Sequence, residues 1–393
     1  MARKNANGEG SISKFTKNGI TYYKGILTIG RNEEGKLIRK TFSSKKRQEV
    51  SEKMNDYKNK MLKGELSTNE NITLAEWYHT YLFEFRKNDL KPSTFERYYS
   101  IYKNYILNSP IGSIKLIKLR AIDLQQYYNK LLTDENKTPS ILATINKYIT
   151  TILHEAVRQD IIKKSCASLV KLPKVEYNSD YSVLSLSDQK KFIEAIQGHK
   201  FKCLFLMALG TGLREGELLA LKWNDIDFNN NTVTVNKTIK RVPFINPDGS
   251  RTYKLIEQSP KTKNSIRTVP LPSNLIKALT EHKLQQNVIK IKNRDIYHDM
   301  DYIFADNYGN PLENKRPNRN FQSVLKSINI TPIKFHSLRH TYATRLFEQN
   351  VPIKTVQKLM GHKDSNTTLD IYTHVMPEEK TKAVDKLNDL LCI

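Results

Sequence analysis

Five residues in the second half of the chain have the types needed to cleave a phosphodiester. They are Arg214 in Thr211-Gly212-Leu213-Arg214-Glu215-Gly216-Glu217, His336 and Arg339 in His336-Ser337-Leu338-Arg339-His340, His362 after Gly361, and Tyr372 in Leu369-Asp370-Ile371-Tyr372-Thr373-His374. Attack on a phosphodiester concentrates negative charge on the non-bridging oxygens, and a metal-free site must meet that charge with fixed donors. Arg214, Arg339 and His362 are such donors. Tyr372 could supply the nucleophile, although a phenol of pKa about 10 is phenolate only to roughly one part in a thousand at neutral pH. His336 is the candidate base, and neighbouring arginines would also favour the phenolate. The resulting phosphotyrosine would conserve the bond energy for religation, so no nucleotide cofactor is required.

Each residue alone has an ordinary structural explanation. Arg214 falls in the first turn of a helix expected over Leu213 to Trp223, where the helix dipole disfavours a cation unless an anion binds there. Pairing with Glu217, three residues on, is the alternative. His336, Arg339 and Ala343 share one helical face while Leu338, Tyr342 and Leu346 form another. His336 and His340 at i, i+4 could bind zinc, but no Glu follows the first histidine and cysteine ligands are lacking. Val351-Pro352-Ile353 starts a helix that buries Ile353, Val356 and Leu359 or Met360, with Gly361 as its C-terminal cap. Tyr372 beside Ile371 would by default be a core residue. His374 competes with His362 for the phosphate.

The order, spacing and flanking residues of these motifs resemble the tyrosine recombinases, specifically the integrases of phages and integrative conjugative elements, along nearly the whole chain. The resemblance implies cleavage through a 3′-phosphotyrosine, with Arg214, Arg339 and His362 on the phosphate and Glu217 supporting Arg214. It also implies a lysine that protonates the departing 5′-oxygen, carried on a hairpin turn. In Pro260-Lys261-Thr262-Lys263-Asn264-Ser265 that residue is assigned as Lys261, with Lys263 its competitor. Lysine suits the role because a pKa of about 10.4 keeps it protonated at neutral pH. The family acts on double-stranded DNA attachment sites, exchanges strands through a Holliday junction in a homo-tetramer, and commonly uses an excision factor and a host DNA-bending protein. Topoisomerases of related chemistry share the mechanism.

These residues need a scaffold, and 393 residues suggest two or three domains. The 64 Lys and Arg against 40 Asp and Glu give a net +24, which favours a polyanionic partner such as nucleic acid. The longest apolar stretch, Cys203 to Leu209, is far short of a membrane span, and the first residues lead into no hydrophobic signal core. Three widely spaced cysteines offer no disulfide framework. A cytoplasmic location is expected.

Residues 1–66 hold 16 Lys and Arg against 7 Asp and Glu. Strands are expected at Ile12 to Phe15, Ile20 to Ile29 and Lys36 to Phe42, the first two joined at Asn18-Gly19, with a helix to about Lys63. A thin sheet carrying Lys14, Lys24, Arg39 and Lys40 fits a major groove, and the family resemblance makes this module an arm-type DNA-binding domain. Helices starting near Leu74 and Pro92, then Ile122 to Leu132 and Ser140 to Arg158, form a small bundle over 72–174, which the family resemblance makes the core-binding domain. Its Tyr98, Tyr99, Tyr102 and Tyr105 are expected in the core or its rim. Residues 180–393 form the catalytic domain, with strands at Thr232 to Thr238, Lys254 to Glu257 and Ser265 to Leu271. A tail helix follows, with Ala383, Val384, Leu387, Leu390 and Leu391 as an apolar stripe. The fold class is therefore multidomain α+β: a three-stranded sheet plus helix, a helical bundle, and a mixed α/β catalytic domain.

Two other classes account for less. A DNA-binding regulator leaves the Arg-His-Arg-His-Tyr set without a purpose. A metal-dependent nuclease needs clustered carboxylates, and Asp225 with Asp227, or Asp299 with Asp301 and Asp306, read as turn residues.

Overall fold

A computed structural model describes residues 10–17, 19–31, 36–62, 71–175, 182–259, 266–362 and 364–375. Lys261, Lys263, the linker at 67–70 and the tail stripe from Ala383 to Leu391 lie outside the described residues, as does the His374 side chain. Two compact units part between Val175 and Glu176.

In the first unit β1 (Ser11–Lys17), β2 (Ile20–Arg31) and β3 (Leu37–Ser44) form an antiparallel sheet in that order. Gly19 sits at φ +74 beside the turn that pairs Lys17 with Ile20. Helix α1 (Arg47–Leu62) packs Val50 and Met54 against Leu27, and a Cβ on Gly25 would overlap both of those side chains. Odd-numbered β2 residues therefore face α1 and even-numbered ones face away. Residues paired across strands share a face, which divides the four expected cations. Lys24, paired with Ser13 and Ser43, and Arg39, paired with Thr28, lie on the open face. Lys14, paired with Tyr23, and Lys40, paired with Leu27, lie on the helix side, where the Lys40 ammonium stands 5.6 Å from the Tyr57 ring centroid.

The same unit contains α2 (Leu74–Thr80), α3 (Pro92–Ile101), α4 (Ala121–Thr133) and α5 (Pro139–Arg158). Thr73 and Glu76 close a capping box at the start of α2, and π-helical turns carry α2 on to Arg86 and α3 on to Ile106. Trp77, Tyr78, Tyr99 and Tyr102 are buried, and the Trp77 indole donates to the Ile152 carbonyl of α5 at 2.9 Å. The tyrosine series along α3 thus serves mainly the bundle core.

The second unit begins with α6 (Leu186–Ala195), α7 (Lys202–Thr211) and α8 (Glu215–Leu218). Strands β4 (Ile226–Asp227), β5 (Thr232–Val235), β6 (Thr238–Ile245), β7 (Arg251–Gln258) and β8 (Arg267–Pro270) follow, then α9 (Ser273–Lys292), α10 (Lys315–Ser327), α11 (Ser337–Glu348), α12 (Ile353–Met360) and α13 (Ser365–Val375). Phe192, Phe205, Phe321 and Phe335 anchor the main core, while Tyr342, Phe347, Val356, Met360 and Ile371 build a smaller one among α11, α12 and α13.

Two expectations change. The helix expected from Leu213 to Trp223 is a single turn, because the chain beyond it pairs with 301–303: Ile303 N–H donates to the Leu221 carbonyl and Trp223 N–H to that of Asp301, each within 3.0 Å. The strands flanking Pro260 to Ser265 are not partners in one hairpin. β7 pairs with β6 in a two-stranded ribbon, whereas β8 joins the sheet β4-β5-β8. Among the described residues, no helix is long and apolar enough to cross a membrane.

Candidate active site

Helix α7 is apolar and largely buried, and it ends where Gly212 adopts left-handed backbone (φ 60, ψ 22). Buried Leu213 then anchors the chain, and Arg214 follows in extended conformation as the N-cap of α8. Its backbone N–H donates to Glu217 Oε2 at 3.0 Å while its Nη1 donates to Glu217 Oε1 at 2.7 Å. Arg214 thus pairs with Glu217, as the plainer expectation had it, yet its side chain remains 39% exposed beside the pair. Gly216 keeps this turn close to β6, since a Cβ there would overlap Thr238 Oγ1.

Glu217 is nearly inaccessible and bonds a second guanidinium, accepting from Arg267 Nη2 at 2.9 Å. Burial alone would raise the carboxyl pKa, but the bonds and charges of Arg267 and Arg214 outweigh it and hold Glu217 below its ordinary value.

His336 stands at the N-cap position of α11 without a side-chain capping bond, so His336 and Arg339 approach the site from that helix's first turn. Arg339 is 2% exposed, more deeply placed than a cation-presenting surface face would allow. Its Nη1 donates to the Gly212 carbonyl and its Nη2 to the Met360 carbonyl, both at 2.6 Å. Helix α12 ends at Gly361, left-handed at φ 65 as the C-terminal cap. Arg267 Nε donates to the Leu359 carbonyl at 2.8 Å, and Arg214 Nη2 to that of Gly361 at 3.3 Å. Three consecutive carbonyls at this helix terminus therefore each receive a different guanidinium, in a place where the dipole favours cations.

His362 comes next in the chain. Its Nδ1 lies 2.9 Å from the buried Thr368 hydroxyl, and its carbonyl accepts from Gln357 Nε2 at 3.3 Å. Burial, then the charges of Arg339 and Arg214, push the imidazole pKa down to about 3. His336 is lowered as well, by the same burial and the same two arginines, with its ring set edge-on to His340 at 4.8 Å. Burial and the nearby Arg214 lower Arg339 itself to about 9. A guanidinium stays protonated at neutral pH; the shift says that its charge is under-compensated.

Tyr372 lies on α13, half-buried, with its ring edge-on to Phe347 at 5.2 Å and fully buried Ile371 beside it. Packing of α13 against α11 and α12 thus fixes the tyrosine relative to His336, Arg339 and His362. The carboxylates considered for a metal serve the fold instead. Asp225 pairs with Lys237 at 2.7 Å and Asp299 with Lys290 at 2.8 Å, while Asp227 and Asp306 bond the backbone of their own turns.

Residues 183–379 match the model of the phage integrase family, and residues 73–132 that of the phage integrase N-terminal SAM-like domain. The tyrosine recombinase XerC-like protein of Caldanaerobacter subterraneus subsp. tengcongensis is 42% identical over 96% of this chain and 98% of its own length. The chain belongs to the tyrosine recombinases of the phage integrase family. Its activity is site-specific DNA recombination. Among solved structures, this recombinase shares its fold with the Tn1549 transposon integrase in complex with a circular intermediate DNA (TM-score 0.63, 21% identity, 80% of this chain and 99% of that one). It also resembles a lambda integrase tetramer bound to a Holliday junction (TM-score 0.54, 20% identity, 90% and 96%).

In this recombinase Arg214, His336, Arg339 and His362 come together in one electrostatic cluster, while Lys261 lies outside the described residues. Sequence reasoning missed Arg267, Gln357 and Thr368. Arg267 did leave a signal: it shares the inward face of β8 with fully buried Val269, and an arginine at such a position demands partners.

Proposed function

We propose that this recombinase cuts each strand of a double-stranded DNA attachment site with the Tyr372 phenolic oxygen, giving a 3′-phosphotyrosyl ester and a free 5′-hydroxyl. Arg214, Arg339 and His362 hold the non-bridging oxygens, His336 accepts the phenolic proton, and Lys261 returns a proton to the departing 5′-oxygen. The observation that carries this reading is the charge around His336 and His362: Arg214 and buried Arg339 both bear on the two rings, the Arg339 bonds among the described residues go to main-chain carbonyls, and Arg214 shares Glu217 with Arg267. A phosphodiester supplies the missing negative charge.

The lowered pKa of His336 leaves a neutral imidazole at neutral pH, as a base requires. Neutral His362 can still donate. When the Thr368 hydroxyl donates to Nδ1, the ring proton resides on Nε2, free for a phosphate oxygen. The fold shared with the lambda integrase tetramer supports assembly of four subunits on two attachment sites. Open-face Lys24 and Arg39 support a role for residues 1–66 at arm-type sites. The protein would integrate and excise a mobile element in the cytoplasm, with an excision factor and a host DNA-bending protein setting direction.

The test is a nicked attachment-site duplex, which traps the covalent intermediate when the short fragment beyond the nick diffuses away. Wild type should give a denaturation-resistant adduct in the presence of EDTA, and Tyr372→Phe should bind the duplex without forming one. An adduct in the mutant would move the nucleophile elsewhere, and a strict need for magnesium would point to metal catalysis.

A further inference from the structure

We infer that Arg267 is a positioning residue for strand cleavage, tying together the two donors Arg214 and His362 from a strand that belongs to neither. The inference rests on the roles proposed above for those two residues. Its basis is geometric. Arg267 opens β8, and its side chain is 7% exposed, buried between the α8 turn and the end of α12. One edge of the guanidinium donates from Nη2 to Glu217 Oε2 at 2.9 Å, and Glu217 in turn holds Arg214 through both its backbone N–H and its Nη1. Nε donates to the Leu359 carbonyl at 2.8 Å, three residues before His362. The same side chain lies along Gly361, where a Cβ would stand 3.0 Å from both Arg267 Cδ and Nη1. Left-handed Gly361 is thus shaped on one side by its own backbone and on the other by Arg267.

A planar fork with donors at fixed angles can serve both acceptors at once, which an ammonium on a flexible stem cannot. Arg267 also returns directly to the β4-β5-β8 sheet through the pairing of Arg267 with Val235. The rigid sheet is therefore the reference against which Arg214 and the Gly361-His362 turn are set. Breaking this link leaves Glu217 with one partner fewer and the end of α12 with two of its three guanidinium bonds. Both donors then drift relative to the scissile phosphate, and misplacement by about 1 Å can cost on the order of 100-fold in rate.

The experiment uses the full chain and a nicked duplex carrying the core attachment site. Single-turnover adduct formation, duplex affinity and thermal midpoint are measured for wild type, Arg267→Lys, Arg267→Met, Glu217→Gln and the double variant Arg267→Met/Glu217→Gln. Cleavage by Arg267→Met is expected to fall about 100-fold, with duplex affinity within about threefold of wild type. Arg267→Lys, which keeps the charge and the fold, should recover the thermal midpoint but less than a tenth of the rate. The double variant should cleave no more slowly than the slower single one, because both act through the same link. Cleavage by folded Arg267→Lys at the wild-type rate, or additive losses in the double variant, would overturn the inference. If Arg267→Met does not fold, the Arg267→Lys rate decides alone. Adduct formation by wild type and its absence in Tyr372→Phe check the underlying reading separately, so the two failures are distinguishable.

Discussion

Gly212 lies against the ring of Tyr342. A Cβ at position 212 would overlap Tyr342 Cδ1, and the backbone there is left-handed. The same glycine offers its carbonyl to Arg339, so one residue ends α7, admits the Tyr342 ring and holds a buried arginine. Gly212→Ala should therefore harm both fold and site. Steric conflict costs about 1–3 kcal/mol and the left-handed backbone about 1–2 kcal/mol more. Urea unfolding at neutral pH measures the loss. A midpoint equal to wild type would mean that Tyr342 moves aside freely.

How far the sequence foretells this architecture depends on the kind of interaction involved. Glycine at the end of α12, the proline that opens α3 and the Asn18-Gly19 pair between β1 and β2 are local signals, and the corresponding elements appear close to where they put them. The one-turn α8 is not legible, because its end is set by backbone bonds to residues 301–303, some eighty positions away. The β6–β7 ribbon shows only at the end where Thr238 pairs with Gln258, since Lys240, Arg241 and Pro243 interrupt the apolar pattern while the backbone still pairs from Thr238 to Ile245. Motif residues Arg214, His336, Arg339 and His362 can be named from type and spacing. Arg267 cannot, because its importance arises from Glu217 and Leu359, which are distant in sequence and adjacent in space.

Glu217→Gln tests the charge balance of the site. The folded carboxyl is depressed below 4.5, so its contribution to stability is complete above that pH and is lost as pH falls through the lower folded value. Removing one member of a buried charge cluster costs about 3 kcal/mol or more at pH 7. Unfolding of wild type and mutant should differ by that amount near neutrality and converge in acid. A difference that stayed constant down to pH 3 would assign the effect to shape rather than charge.

The two histidines predict the acid limb of the cleavage profile. His336 must be neutral to act as a base, and its pKa is lowered from 6.5 by burial and by Arg339 and Arg214. The midpoint of the acid limb of adduct formation by wild type should fall below pH 6.5. Thr368→Val removes the hydroxyl that bonds His362 Nδ1. It should lower the plateau about tenfold without moving the limb, because roughly 1.4 kcal/mol of donor geometry is lost. An acid limb shifted above pH 7 in wild type would transfer the role of base to another group.

The division of cations on the N-terminal sheet gives a prediction that composition could not. Lys24 and Arg39 share the open face with Ser13, Thr28 and Ser43, whereas Lys14 and Lys40 lie on the face that carries α1. A sheet entering a groove by its open face would place the first pair toward DNA. Lys24→Ala with Arg39→Ala should weaken arm-site binding and reduce the slope of log affinity against log salt by about 2, roughly one for each phosphate no longer neutralised. Lys14→Ala with Lys40→Ala should leave the slope nearly unchanged while removing the Lys40 ammonium from the Tyr57 ring. Equal effects from the two pairs would mean that the field of the whole module, rather than its open face, attracts the arm site.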